Sequence, residues 1–469
     1  MKSWYRFATF GLIVLSIINY NHPQTLAKGG RGQEAGGRRQ EEYIISSSFP
    51  SFTQTIAQSA DTTTPKTAKE WLELGNNYFA AENYPEALAA YEQAISLEPR
   101  NVDAWYAKSS TLISLERYED AIAACDKTLE LQPRYYEAWY AKGYSLGLLE
   151  EYTEAIAAYN KVIQLKPDHT NAWYAKGNSL SALNRYQEAI AAFDKVIAIN
   201  PEYYEAWYSK GYILQKLEKN QEAISAYDRA IIIKPDYTNA WYAKGYILYK
   251  MRRYREALSA YEQAIDINPD YIDAWYNKGL SLQGLKRYLE AQRAYNRVIS
   301  LQPEAADVWY AQGNIFQEIR NYENALSAYN KAIEIKPDYA EAWYAQGYTL
   351  DKLKLYQEAL ISYNTAIEIK PDYADAWYNK GILLREIQRY DESLESYNQA
   401  VKFKPKDYEA WYGRGVTLWH LKKYKEALES YDRALSINPK YRLAAEARKT
   451  LLTQIGGGNR EQGRRNRRR

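Results

Sequence analysis

Residues Trp173 to Pro201 read WYAKGNSLSALNRYQEAIAAFDKVIAINP, and this stretch decides the fold. Taking 100° per residue, Trp173, Gly177 and Leu180 fall within about 60° of one another, the spacing of one buried helix face. A second apolar pattern begins at Tyr186, carries Ala189 and Phe193, and ends at Pro201, which stops a helix. Two helices joined by a short turn are therefore expected. The unit then restarts at Trp207, 34 residues on.

Eleven tryptophans keep that interval without a slip: Trp71, Trp105, Trp139, Trp173, Trp207, Trp241, Trp275, Trp309, Trp343, Trp377 and Trp411. Counting each unit from three residues before its Trp, eleven copies fill 68–441, with Pro at place 32 from Pro99 to Pro439. Place eight is Gly in ten copies, with Ser109 the exception, and place 20 is Ala in ten, with Ser393 the exception. Place 24 is aromatic in ten and Cys125 in the other. Small residues at fixed offsets let two helices touch, and a period of this length signals a solenoid.

The register of Trp, Gly, Ala, aromatic and Pro resembles the tetratricopeptide repeat. The resemblance implies an all-α solenoid, a right-handed superhelix of helix-turn-helix units whose first helices line a concave groove. One column departs from the family: place seven, usually Leu, is Lys in seven copies (Lys108, Lys142, Lys176, Lys210, Lys244, Lys278, Lys380), Arg414 or Gln in three others, and Leu only at Leu74. These cations are expected to snorkel from the helix edge towards the acids before the small Ala, such as Glu154, Glu188 and Glu222.

Composition agrees. Tyr 48 and Trp 13 against Phe 8 describe a large amphipathic surface, as expected when each repeat contacts only its neighbours. The net charge of +3 divides into +3 up to Thr67, +5 from Gly456 and −5 over the repeats, so the body does not suit a polyanion. Lys2 and Arg6 precede an uncharged run from Phe7 to Tyr20, then Thr25-Leu26-Ala27, the shape of a signal peptide over 1–27. The run falls short of the ~20 apolar residues of a spanning helix, though an uncleaved anchor is the alternative. Export to a periplasm, lumen or exterior is therefore expected. Residues 28–67, Gly/Arg-rich then Ser/Thr-rich, read as a disordered linker, 442–455 as a capping helix and 456–469 as a disordered Arg tail.

No catalytic constellation can be assembled. His22, His169 and His420 share no motif, Cys125 stands in a packing column, and no phosphate loop or metal-ligand spacing occurs, so no enzyme, cofactor or metal site is expected. The paired acids of "PDYAEAW" and "PDYADAW", Asp338 with Glu341 and Asp372 with Asp375, read as capping boxes.

Function must then lie on the exposed face. Places two, five, nine and twelve of the first helix fall within an arc of about 80° away from the Trp stripe. Place five is Tyr in ten copies and suits packing as well as binding. Repeats five and six add extra rings, and the candidate groove comprises Tyr174, Glu205, Tyr208, Tyr212, Asn239, Tyr242, Tyr246, Tyr249 and Tyr276. It suits a protein or an extended peptide carrying Arg or Lys. The whole then reads as a non-catalytic scaffold, in envelope assembly or a related exported complex. The second reading is a binder of nucleic acid, anionic lipid or acidic polysaccharide through Arg464, Arg465, Arg467, Arg468 and Arg469.

Overall fold

The computed structural model describes residues 67–466, which form 23 helices and no strand. Contacts divide the chain into two compact units, up to Ile199 and from Asn200. The leader at 1–27 and the linker up to residue 66 lie outside the described residues. Each repeat is an A helix followed by a B helix, as in Thr238–Lys250 and Tyr254–Ile267 of repeat six.

The B helix ends two residues before the Pro because proline disfavours helical backbone in its predecessor. Glu98, for instance, has φ −136° and ψ 82°. The turn between A and B uses a feature that the repeat pattern did not suggest. Place 15 has φ near +60° in all eleven copies, and none is Gly, from Glu82 through Asn184 to Lys422. The following N–H returns to the carbonyl five residues back, as Asn83 does to Tyr78 at 2.9 Å, which closes the A helix in a left-handed cap.

The core is a column of contacts inside each repeat. The ring at place 24 lies on the Gly at place eight so closely that a Cβ on Gly279 would stand 2.3 Å from Tyr295 Cε1. Tyr227, Tyr261, Tyr295 and Tyr329 are fully buried there, with the Ala at places three and 20 around them. Cys125 takes the same place in repeat two, and burial pushes its thiol up to about 12, so it is a packed hydrophobe.

The tryptophans, read as a core stripe, are instead half-buried and form the seam between repeats. In ten of eleven copies the indole N–H donates to the Pro carbonyl six residues earlier, at 2.8 to 3.1 Å, tying one repeat's A helix to the previous repeat's end. An indole needs a partner for its polar edge, and a bare helix interior offers none.

The cations at place seven sit over these rings, from 5.0 Å for Lys176 to 5.9 Å for Lys142. Four of them pair with an acid on the preceding repeat's B helix rather than with the acids before the small Ala: Lys108 with Glu92, Lys142 with Asp126, Lys244 with Asp228 and Lys278 with Glu262, at 2.5 to 3.1 Å. Two of the expected acids are taken locally instead, by a cation three residues earlier: Glu188 by Arg185, and Glu222 by Lys219 at 3.4 Å. Arg185 holds Glu188 at 2.8 Å and Arg287 holds Glu290 at 2.6 Å. Lys176 and Lys380, whose charge is disfavoured by burial, feel Glu188 and Glu392 as the next influence.

The helix from Arg442 packs on the last repeat. Leu451 and Ala444 are buried against it, and Arg448 repeats the seam by pairing with Asp432. It runs past Ile455 and Gly456–Gly458 to Asn466, longer than the expected cap. Propagating a formed helix costs little, and Arg460, Glu461 and Gln462 beyond the glycines are good formers. Arg464 and Arg465 thus belong to helical backbone, while Arg467, Arg468 and Arg469 lie outside the described residues. At the other end, Thr67, read as the last linker residue, caps the first helix in a true capping box with Glu70.

Candidate interaction face

The A-helix face is built by the residue that starts each A helix. In six repeats from the third onward this is a Tyr at the preceding place 34, and its side chain makes no cap bond. Asp338 and Asp372 stand one residue too early to reach the first amides, so the capping boxes read there do not form. Their partners face other groups: Glu341 pairs with Lys370 at 3.2 Å and Asp375 with Lys404 at 2.8 Å. Burial pulls the Lys404 pKa down, but Asp375 and Asp407 outweigh it, and the net shift is upward. His169 is a working cap, its Nδ1 accepting from the Ala172 N–H at 3.1 Å.

Place-five tyrosines are packing elements on one side. Tyr208 lies 5.6 Å from Tyr227 and 5.2 Å from Tyr237, Tyr242 lies 5.8 Å from Tyr261 and 5.0 Å from Tyr271, and Tyr276 lies 5.8 Å from Tyr295. Tyr174 does the same with Phe193, in the first compact unit. Because each remains half-buried, one side of each ring stays on the face.

The extra rings differ. Tyr212 carries the Lys216 ammonium 5.3 Å above it, and Tyr249 packs on Tyr254 at 5.7 Å. Burial pushes the Tyr249 phenol up to about 12, with Tyr254 and Tyr246 adding to it, and burial also raises Tyr246. Glu205 is half-buried and Asn239 exposed. The structure thus brings Tyr242, Tyr246 and Tyr249 together around Tyr261, with Tyr276 next to Tyr249.

Three neighbours escaped the sequence reading, Tyr261, Tyr271 and Lys234, while Asp273, read there as one of the place-two acids of the exposed face, was not among the groove residues chosen. Lys234 Nζ donates to Tyr204 Oη at 3.0 Å and lies 4.6 Å over its ring. The Tyr at place 34 in seven of eleven copies was the available signal for Tyr271. Nothing in the repeat pattern marked the hydroxyl of Tyr261. Among the described residues no group of three metal ligands occurs, and no helix is long and apolar enough to cross a membrane.

Comparison with known families decides the identity. The tetratricopeptide repeat profile matches residues 72–135, 174–238, 276–340, 310–374, 362–408 and 378–442, more than half of the chain. The chain belongs to the tetratricopeptide repeat family. A second tetratricopeptide repeat profile matches 238–271, and that of anaphase-promoting complex, cyclosome, subunit 3 matches 118–196. As a member it is a protein-interaction scaffold of a generally non-catalytic family.

Comparison with curated proteins returns no match. Among solved structures, YrrB, described as a TPR protein with an unusual peptide-binding site, is 26% identical, covering 41% of this chain and 99% of its own, with TM-score 0.36. MamA 41-end from Desulfovibrio magneticus RS-1 is 20% identical over 37% of this chain and 99% of its own, with TM-score 0.36. The APC/C hetero-tetramer Cut9-Hcn1 is 13% identical over 82% and 96%, with TM-score 0.41.

Proposed function

We propose that this scaffold binds an extended protein segment carrying Arg or Lys on the Tyr-rich, partly acidic A-helix face of repeats five to seven. The observation that carries it is the excess of half-buried rings there: Tyr212, Tyr246 and Tyr249 add to the place-five set, and acids interleave with them. Amphipathic rings on a preformed helical surface supply contact area at little entropic cost, and their faces attract cations. The repeat body's negative charge favours the same ligand. The setting we propose is an exported complex, with 1–27 removed on export and the mature chain beginning near Lys28; amino-terminal sequencing of the native protein checks this, and Met1 on a membrane-bound chain would make the leader an anchor.

Crosslinked capture from envelope extract tests the binding reading, using the full chain beside one ending at Ile455. The scaffold reading expects the same partner at similar yield from both, because it assigns binding to the A-helix face and none to the Arg tail. Loss of capture with the tail, together with steep salt dependence, would transfer the function to the Arg residues.

A further inference from the structure

In four repeats the hydroxyl of the place-24 Tyr donates to a side chain at place nine or twelve of the A helix. Tyr91 donates to Asn76 at 2.9 Å, Tyr227 to Gln215 at 3.0 Å, Tyr295 to Gln283 at 3.2 Å, and Tyr329 to Asn314 at 2.8 Å and Gln317 at 3.1 Å. Repeat six breaks the series. Its places nine and twelve are Tyr246 and Tyr249, and Tyr261 Oη is fully buried without a hydrogen-bond partner. Tyr397 Oη also lacks one, but Arg385 lies 6.0 Å over that ring. A buried polar atom left unpaired is costly and calls for a partner.

A second irregularity lies beside it. In repeats nine and ten the place-two acid is neutralised by Lys370 or Lys404, yet repeat seven carries Gln302 at that position, and Asp273 has no ion pair among the described residues. Asp273 is half-buried, which raises its carboxyl pKa. It adjoins Tyr271, which packs on Tyr242, and both rings neighbour Tyr261. Asn277 ties the cluster by donating to Tyr242 Oη at 3.2 Å and to the Asp273 carbonyl at 2.8 Å.

We propose that repeats six and seven form a subsite for one arginine of the bound segment, whose guanidinium pairs with Asp273 against the tyrosine rings while a neighbouring peptide carbonyl accepts from Tyr261 Oη. This rests on the binding face proposed above and assigns its charge-reading position. A planar guanidinium stacks on rings and meets a carboxylate two-fold, which lysine does not. The Tyr261 hydroxyl is covered in the free chain, so a ring of the cluster moves aside on binding.

The test uses the full chain and an acetylated, amidated peptide alternating serine and arginine, with lysine and glutamate counterparts, titrated calorimetrically at fixed salt. Arginine is expected to bind several-fold tighter than lysine and glutamate not at all. Asp273→Asn should weaken the arginine peptide at least tenfold and Tyr261→Phe at least threefold, with unchanged helix content. Gln302→Lys, which supplies the missing cation and leaves Asp273 and the rings in place, should weaken it comparably. Asp103→Asn, the corresponding exposed acid of repeat two, should stay within twofold. Equal loss from Asp103→Asn, or no loss from Asp273→Asn and Gln302→Lys, would overturn the subsite. If Tyr246→Ala and Tyr249→Ala still abolish partner capture while the Asp273 variant does not, the face stands and only the subsite falls.

Discussion

The seam between repeats and the face of the A helices are made from the same 34-residue unit, yet one is nearly constant and the other is not. Along the seam, Trp, Pro carbonyl and a place-seven polar group recur ten times with almost the same geometry. On the face, place twelve runs through Gln215, Tyr249, Gln283, Gln317, Asp351 and Arg385. The difference teaches that repetition inside one chain separates what holds repeats together from what can tell partners apart. A packing contact has one good solution, so it is copied; a recognition surface gains from variation.

The core should outrank the seam most strongly. Tyr295→Ala removes a fully buried ring and should cost ~3–5 kcal/mol. Trp275→Ala, in the same repeat, removes a half-buried indole with one hydrogen bond, and should cost ~1–3 kcal/mol. Urea unfolding read by circular dichroism compares them. Equal costs would return the tryptophans to the core and erase the distinction drawn here.

Glycines sharpen it next. A Cβ on Gly279 would stand 2.3 Å from the Tyr295 ring, whereas on Gly381 the nearest ring atom is 3.2 Å away. Gly279→Ala should therefore cost ~1–3 kcal/mol by overpacking. Gly381→Ala should be close to neutral, because the helix gains ~1 kcal/mol of propensity. Similar melting curves for the two would show that place eight is not set by the ring.

His169 offers a smaller, pH-dependent effect. Its folded pKa lies below the usual 6.5, because burial and then Lys166 disfavour the cation. The neutral cap therefore contributes fully above pH 6.5, and its contribution falls as pH drops below that value. An N-cap is worth about 1 kcal/mol. Melting the native chain beside His169→Asn, which caps without titrating, should show a difference opening between pH 7 and 5. Parallel curves would remove the cap from the account. Smallest of all, Lys286→Gly relieves a left-handed φ of 59° and should stabilise by up to ~1 kcal/mol.

Much of the fold was legible in the sequence because each landmark recurs at a fixed spacing: helix order and the small-on-aromatic contact both follow from it. The role of Trp was not, since wheel arithmetic gives a side of the helix but not what covers it, and that side proved to be a seam. The left-handed place 15 was hidden because Glu, Lys and Arg stand there instead of Gly. At the face, Tyr212, Tyr246 and Tyr249 were found as excess over the repeat. Tyr261 was not, and Asp273 was read only as one place-two acid among several, because both look ordinary in their columns and become distinctive only through the partners they lack.

The central claim is that the extra rings of the second unit carry recognition while the repeats carry structure. Calorimetry of the captured partner against the triple variant Tyr212→Ala, Tyr246→Ala, Tyr249→Ala tests it most directly. At ~1–2 kcal/mol for each hot-spot ring, affinity should fall by more than a hundredfold with helix content intact. Affinity within twofold of the native chain, in an equally helical variant, would contradict the account.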